Sequence, residues 1–214
     1  MFGLFRRNNK DRLIHFEKNV LSNRHDSNTK VIDSHVTQPL KTTQKLNDFK
    51  VGNIVSLGNF VGPIEWQVLE VKDNKALLLS KHILFNMPFD YNDFGTWKTS
   101  SLRHFLNGKF YENCFTKSEK STIIQKFNEV NSGDTEDRLY LLSVEEVNKY
   151  FNSNEEREAV DLNEGIALWW LRCRGIGDCF VAFVNGDGRV HDVGGNADGR
   201  CVGVRVALQW NLES

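Results

Sequence analysis

The sequence is short of several features that define large classes of protein. Only four Cys occur in 214 residues, at irregular spacing, so the disulfide framework of small secreted domains is missing. No apolar run approaches the roughly 18–20 residues that a membrane-spanning helix needs. The opening stretch MFGLFRRNNK places apolar residues before its charges, the reverse of a secretory signal peptide. Together these absences predict a cytoplasmic protein.

The chain also has almost no net charge, at −1, so the molecule as a whole has no general attraction for nucleic acid. It contains no glycine loop for phosphate and no nucleic-acid motif, and we expect no nucleic-acid partner. Aromatic residues, by contrast, are plentiful, with five Trp and fifteen Phe. A chain of this length and composition predicts one domain of ordinary size around an aromatic core.

Residues 1–48 differ in composition from the rest of the chain. They contain nine Lys and Arg against five Asp and Glu, a local charge of +4, and the remainder carries −5. This polar composition predicts a flexible basic segment. Within residues 1–21, Leu13, Phe16 and Val20 recur at helical spacing. That spacing leaves two readings open: a basic amphipathic helix that contacts a membrane surface or a partner, or a frayed tail.

Residues 49–214 predict a single α+β domain. GNIVSLG and IEWQVLEV have the apolar patterns of strands, and DNK predicts a turn before the strand ALLLS. Three short helices are expected in the middle, and only strands and turns from Ala167 to Leu212. Strands first, helices in the middle and strands last indicate mostly antiparallel sheets.

The three helices are predicted from their capping residues. The first is capped by Thr99, Ser100 or Ser101 and ends at Gly108. The second, in TKSEKSTIIQKF, begins with a Thr-x-x-Glu capping box, and the third, in SVEEVNKYF, with the equivalent Ser-x-x-Glu. The charged stretch NSNEEREAVDLNEG that follows is expected to be a loop.

Several separated motifs, in the right order over roughly residues 51–212, carry a resemblance. They are Trp-x-x-Ser-x-x-Arg-x-x-Leu-Asn from Trp97 to Asn107, Trp-Trp-Leu-Arg at 169–172, and a closing Gly-Val-Arg-Val-Ala-Leu at 203–208. The chain resembles an uncharacterised bacterial domain family with no assigned activity. The sequence departs from the family pattern at Cys173 and Arg174, where Ser-Pro is usual, and at Val206, where Pro is usual.

The closing motif is also similar to the end of the C-type-lectin-like fold of formylglycine-generating enzymes and phage tropism determinants. This likeness implies a C-type-lectin-like α+β domain that presents a loop-rich surface from its last third. The cysteine pair of formylglycine-generating enzymes is not recognisable in this sequence, so the resemblance does not carry that activity over.

The stretch FVNGDGRVHDVGG, residues 183–195, contains Asn185, Asp187 and Gly188 at the spacing of a calcium loop. An EF-hand loop aligned on them has Phe183 at position 1 and Gly194 at position 12, where oxygen ligands are required. The alternating residues on either side of NGDG instead predict a β-hairpin. A looser calcium site formed by Asp187, Asp192 and Asp198 is the alternative.

Other residues are open to two interpretations. Cys173, Cys179, His191 and Cys201 have the chemistry of a zinc set but not its paired spacing, so free thiols are favoured. A catalytic pair of Cys179 and His191 lacks an orienting partner. Arginines within apolar motifs either pair with carboxylates inside the domain or bind an anion; these are Arg103, Arg172 and Arg205. Four tryptophans are expected in the core, with one of the adjacent pair facing outward: Trp97, Trp169, Trp170 and Trp210.

Hydrogen-bonding side chains alternate with glycines between Arg172 and Arg200, a composition typical of recognition loops on a rigid scaffold. The candidate ligand-binding residues are Trp170, Arg172, Arg174, Asp187, Arg189, His191, Asp192 and Asn196. We therefore predict a non-enzymatic binding module for a protein or a glycan, with no cofactor and no bound metal. Two alternatives are a metal- or thiol-dependent enzyme and a phage-like assembly subunit that docks through residues 1–48.

Overall fold

The computed structural model describes residues 48–92, 96–128, 134–161, 165 and 167–213. The strands are β1 (Ile54–Asn59), β2 (Pro63–Lys72), β3 (Lys75–Ser80), β4 (Phe85–Asn86), β5 (Ile123–Ile124), β6 (Lys126–Asn128), β7 (Thr135–Asp137), β8 (Leu139–Tyr140), β9 (Trp169–Arg174), β10 (Phe180–Val184), β11 (Val190–Asn196), β12 (Gly203–Val204) and β13 (Ala207–Asn211). The helices are α1 (Ser101–Phe105), α2 (Tyr111–Cys114), α3 (Lys117–Thr122), α4 (Val144–Tyr150) and α5 (Asn154–Arg157). The predicted basic segment lies outside the described residues, apart from Asp48.

The strands form two main sheets. One has the order β1-β2-β3-β13-β5, with β8 also paired to β13, and the other has the order β11-β10-β9-β12-β4. Every pairing within them is antiparallel except that of β12 with β9. Because β12 and β13 follow each other in the chain but belong to different sheets, the end of the chain joins the two. The predicted α+β class with mostly antiparallel sheets is confirmed.

The β2–β3 hairpin shows why the turn prediction succeeded. Asp73 and Asn74 both adopt positive φ, which these residue types tolerate better than most. They place Lys72 opposite Lys75, and this register continues to Glu70 opposite Leu77, beyond which a bulge at Leu69 shifts it by one residue. The predicted strands and their turn are confirmed.

Both predicted capping boxes are present. The side chains of Thr116 and Ser143 each accept a hydrogen bond from the backbone N–H three residues on, and the carboxylates of Glu119 and Glu146 accept one from the backbone N–H of the capping residue. Ser100 caps α1. The capping side chains therefore determine where these helices begin, as the sequence predicted.

The predicted helix ends were less accurate. At Gly108 the helical conformation is interrupted by a kink (φ −109°, ψ −105°), as the sequence predicted, but a π-type turn over Leu106–Phe110 carries the chain on into α2. Helix α3 ends at Thr122, since Ile123 pairs with Trp210 of β13 in the first sheet. The charged stretch expected to be a loop contains the short helix α5. The local sequence pattern did not reveal the long-range pairing of Ile123 with β13.

The core is aromatic, as predicted, but the adjacent tryptophans of β9 do not face in and out. Trp169 and Trp170 are both fully buried because β9 is covered on both faces. The Trp170 indole donates to the carbonyl of Met87 at 2.9 Å, and the Trp169 indole donates to the carbonyl of Arg157 at 3.1 Å. Trp97 is buried as expected, while Trp210 is half-buried.

Asp137 is the centre of a buried polar network. Its carboxylate accepts hydrogen bonds from the Trp97 indole at 2.9 Å, from Arg103 Nε at 2.6 Å, from Thr135 at 2.6 Å and from Asn128 at 3.1 Å. A buried carboxylate needs this many donors to offset its loss of hydration. The Trp and Arg of the first family motif therefore hold the interior together.

The Asn of the same motif has a matching role. The Asn107 side chain accepts from the backbone N–H groups of Arg138 and Leu139 at 2.9 and 3.1 Å. Its amide donates to the Leu139 carbonyl at 2.7 Å. This side chain thus supplies hydrogen bonds to the short strand β8 from the helical side, so the motif stabilises the fold.

Candidate functional site

The stretch 183–195 forms the predicted hairpin. Strands β10 and β11 pair, with Val184 opposite Val190, and the Asn185 N–H donates to the Arg189 carbonyl at 2.8 Å. Gly188 has a φ of +75°, and a β-carbon there would lie 1.8 Å from the carbonyl oxygen of Asn154. The turn therefore needs glycine for two reasons, and it packs against the start of α5.

At the opposite end of the hairpin, β11 bulges away from β10. Val181 faces Gly195 and Phe183 faces His191, so residues 192–194 lie opposite Ala182 alone. Gly194 takes a φ of +88° inside this bulge. Bulges of this kind redirect side chains and are common at sheet edges, and β11 is an edge strand of its sheet.

The loop between β9 and β10 lies directly on this bulge. The Ile176 N–H donates to the Val193 carbonyl at 3.0 Å, and the Gly175 N–H donates to the Phe180 carbonyl at 2.7 Å. A β-carbon at Gly175 would lie 2.1 Å from the Val193 oxygen, so glycine alone permits this approach. Loop and bulge therefore hold each other in one fixed arrangement.

Two apolar side chains stand out from this arrangement. Ile176 is 81 % exposed and Val193 is 52 % exposed, although each is held on backbone that is hydrogen-bonded in place. Arg174, the last residue of β9, forms an ion pair with Asp178 of the loop at 2.6 Å, and Asp192 is the exposed neighbour of Val193. We call this set of residues the hairpin surface: Arg174, Ile176, Asp178, His191, Asp192 and Val193.

Sequence reasoning missed Ile176 and Val193. The signal was present in the Gly-Ile-Gly of residues 175–177, since a large apolar residue between two glycines has no neighbour of its own on which to pack. Exposed apolar groups that are close together on a monomer often mark an interaction site. The candidate site therefore has an apolar centre that the polar pattern did not show.

The structure separates the eight predicted ligand-binding residues into three groups. Trp170 and Arg172 are buried, with 1 % and 5 % exposure and internal hydrogen-bond partners, so the candidate surface does not include them. Asp187 and Arg189 flank the hairpin turn, 3.6 Å apart. The other four are Arg174, His191, Asp192 and Asn196, of which Arg174 is half-buried and the rest are exposed.

His191 has one defined contact. Its ring is parallel to that of Phe183 with a centroid distance of 4.9 Å, and Phe183 packs in turn on Trp170 at 6.4 Å. His191 therefore closes the outer side of an aromatic stack that begins in the core. It is exposed yet oriented, which suits a residue at the edge of a binding surface.

Arg172 belongs to an internal charge network instead. Its Nη1 donates to the Glu146 carboxylate and to the Leu141 carbonyl, and Lys126 Nζ contacts the other Glu146 oxygen at 2.6 Å. Burial would raise the pKa of Glu146, but hydrogen bonds and charge from Arg172, together with Lys126, lower it to about 2. A carboxylate so paired is a structural anion and not a proton donor at neutral pH.

The predicted carboxylate partners of the motif arginines are present at Arg103 and Arg172 but not at Arg205. Among the described residues Arg205 forms no ion pair, and its Nη1 has no hydrogen-bond partner. Its Nε donates to the Ser80 carbonyl at 3.0 Å, and its guanidinium lies 4.9 Å from the centre of the Trp169 ring. The neighbouring Val206 donates its N–H to Ser80 Oγ, which a proline could not do.

The candidate metal sites do not assemble. Across the ranges that the structure describes, no three His, Cys, Asp or Glu side chains come close enough to hold a metal ion, which contradicts both the zinc set and the looser calcium site. The four cysteines are free. Burial raises the pKa of the Cys173 thiol, which makes it a poor nucleophile.

Residues 73–212 match DUF6273, a domain of unknown function. The chain belongs to the DUF6273 family. This confirms the predicted resemblance to an uncharacterised domain family. No curated protein and no solved structure matches the chain significantly. Within the described part of this DUF6273 chain, no helix has the length and apolar character needed to cross a membrane.

Proposed function

We propose that this DUF6273 domain is a non-enzymatic module that recognises a protein ligand through the hairpin surface. The observation that carries the proposal is the exposure of Ile176 and Val193 on backbone that is fixed by glycine close approach and hydrogen bonds. A rigid apolar pair has little conformational entropy to lose when a partner covers it. The entropy cost of ordering a flexible loop, which weakens binding, is therefore small at this surface.

The distribution of side chains also suits a protein interface. Such interfaces have an apolar centre and a polar rim, and the strongest contributions come from the centre. Ile176 and Val193 supply the centre, while Arg174, Asp178 and Asp192 supply charges of both signs at the rim. Those rim charges would select among partners and steer their approach more than they would add affinity.

A protein ligand is favoured over the glycan that the sequence left open. The apolar faces of sugar rings pack best on exposed aromatic rings. Here Trp170 is buried and one face of Phe183 is covered by His191, so the exposed apolar groups are aliphatic. Aliphatic side chains fit the apolar side chains of another protein.

The same proposal includes two finer assignments. The first is a C-type-lectin-like arrangement of the domain, supported by two mostly antiparallel sheets that the last strands join. The second is a cytoplasmic location, supported by four cysteines that are free. If the late loops of a C-type-lectin-like domain form its binding face, the hairpin surface is part of that face.

Selection of peptides from a random display library against the purified full chain tests the function. We expect enriched peptides with an apolar anchor, whose affinity falls at least about tenfold in the Ile176→Ser/Val193→Ser variant, because each buried apolar side chain contributes about 1.5–3 kcal/mol. The matched control is Val51→Ser/Ile54→Ser, which removes two exposed apolar groups elsewhere, 66 % and 42 % exposed. Peptides that lose affinity equally in both variants, or a glycan panel that binds while no peptide does, would contradict the proposal.

A further inference from the structure

The chain contains the dipeptide Asn-Gly twice, at residues 107–108 and 185–186. In this dipeptide the backbone nitrogen of the glycine can attack the side-chain carbon of the asparagine, because glycine has no β-carbon to obstruct the approach. The amide nitrogen then leaves as ammonia, and water opens the ring. Each dipeptide is therefore a candidate site of deamidation, and the fold gives the two sites different surroundings.

The side chain of Asn107 is held by four hydrogen bonds. Its amide donates to the carbonyls of Arg103 and Leu139 at 3.3 and 2.7 Å, and its oxygen accepts from the backbone N–H groups of Arg138 and Leu139 at 2.9 and 3.1 Å. The reacting atoms of such a step have to approach to about 3–3.5 Å in the right orientation. These hydrogen bonds must break before the side-chain carbon can turn toward Gly108, so they protect Asn107.

Asn185 lies in the turn between β10 and β11 and has no such protection. In the part of the chain that the structure describes, neither its side chain nor the Gly186 N–H has a hydrogen-bond partner. Turning the Gly186 nitrogen toward the side chain breaks one backbone hydrogen bond, from the Gly188 N–H to the Asn185 carbonyl at 2.9 Å. Both dipeptides are partly exposed, so hydrogen bonding, and not access to water, distinguishes the two sites.

We propose that Asn185 is a site of spontaneous deamidation in the folded protein and that Asn107 is not. The Gly186 nitrogen bonds to the Asn185 side-chain carbon and loses its proton, and the side-chain nitrogen leaves as ammonia. Water then adds to either carbonyl of the five-membered imide and breaks its bond to the Gly186 nitrogen. The products are aspartate and isoaspartate, and in each case an amide and water have become a carboxylate and ammonium.

The two products differ in their effect on the hairpin. Aspartate, like asparagine, is favoured at the first position of tight turns, and it adds only a charge near Asp187. Isoaspartate lengthens the main chain by one carbon. The turn has no room for it, since a β-carbon at Gly188 would already lie 1.8 Å from the Asn154 carbonyl oxygen. We therefore expect isoaspartate to separate the turn from α5.

Peptide mapping of the full chain with trypsin tests the proposal. Residues 104–109 and 175–189 lie between cleavage sites and each contain one Asn and no Gln, so a mass increase of about one dalton in either peptide identifies its asparagine. On incubation of the native chain at mildly alkaline pH, we expect deamidation to be at least about tenfold faster at Asn185 than at Asn107, because fewer hydrogen bonds have to break. In urea the two rates should become similar.

Three results would overturn the proposal. One is equal rates at the two sites in the native chain, and another is a native Asn185 that stays intact while the chain in urea is converted. The third is a tenfold difference that persists in urea, because the adjacent residues and not the fold would then set it. These outcomes do not depend on whether the hairpin surface binds a protein.

Two variants complete the test. Gly186 does not have a positive φ, so Gly186→Ala is compatible with its backbone. The added β-carbon should slow conversion at Asn185 severalfold and leave Asn107 unchanged. Asn185→Asp carries the charge without the extra carbon. Hydrogen exchange of the Glu158 N–H, which donates to the Asn154 carbonyl at 3.1 Å, should be faster in the isoaspartate form than in this variant. Equal exchange would contradict the separation of the turn from α5.

Discussion

Arg172 and Arg205 are two buried cations of the same domain with different surroundings. Arg172 is 5 % exposed and donates to the carboxylate of Glu146, which Lys126 also contacts. Arg205 is 2 % exposed, donates to the Ser80 carbonyl, and within the described residues has no carboxylate partner. One charge is neutralised by its neighbours, and the other relies on a carbonyl and on aromatic faces.

This difference in surroundings indicates how each arginine affects the stability of the fold. Arg172 links three segments, because Glu146 is in α4, Lys126 is in β6 and Arg172 itself is in β9. Removing it would leave a buried carboxylate short of donors. Desolvation lowers the pKa of Arg205 to about 9, which means that the interior opposes its charge. Truncating these two side chains should therefore have opposite consequences for stability.

The largest effect is expected for Arg172→Met. We expect the free energy of unfolding to fall by about 3–5 kcal/mol, since the Glu146 side chain, only 16 % exposed, loses one of its two cationic partners and keeps only Lys126. Equilibrium unfolding in urea measures it. Arg189→Met, which changes an exposed arginine, is the control and should shift stability by no more than about 0.5 kcal/mol. A loss below about 1 kcal/mol in Arg172→Met would mean that the network adds little to stability.

The pH dependence of stability isolates Glu146. Its pKa in the folded protein is about 2, below the ordinary value of 4.5, so its contribution is complete above pH 4.5 and is lost as the pH falls through 2. We expect about 3 kcal/mol to disappear over this range through this group. Urea unfolding from pH 6 to pH 2, compared with Glu146→Gln, measures the difference. The same acid dependence in both proteins would assign the loss to other carboxylates.

Sequence alone predicted the parts of this fold that depend on neighbouring residues. The capping boxes at Thr116 and Ser143 and the β10–β11 hairpin follow from a few consecutive side chains. The sequence did not predict features that depend on distant residues. One is the end of α3, which is set by the pairing of Ile123 with β13.

The candidate site divides in the same way. Polar composition located the region of the hairpin surface, but it could not show that Arg172 points into the core, because its partner lies 26 residues away. Nor could it show that Ile176 is exposed, since exposure depends on how Gly175 packs on Val193. The position of the site was predictable from local sequence, while its contacting atoms required the tertiary structure.

The smallest effect, and the sharpest contrast with Arg172, is expected for Arg205→Met. Replacing a buried charge that has no counter-ion by an apolar side chain of similar length removes a desolvation cost, while one hydrogen bond to Ser80 and the contact with Trp169 are lost. We expect the free energy of unfolding to stay unchanged or to rise by up to about 2 kcal/mol. Urea unfolding of Arg205→Met and Arg172→Met, measured side by side, gives the sign of the stability change for each variant. A loss of about 3 kcal/mol or more would show that the guanidinium has an anionic partner in solution, and the contrast between the two arginines would then fail.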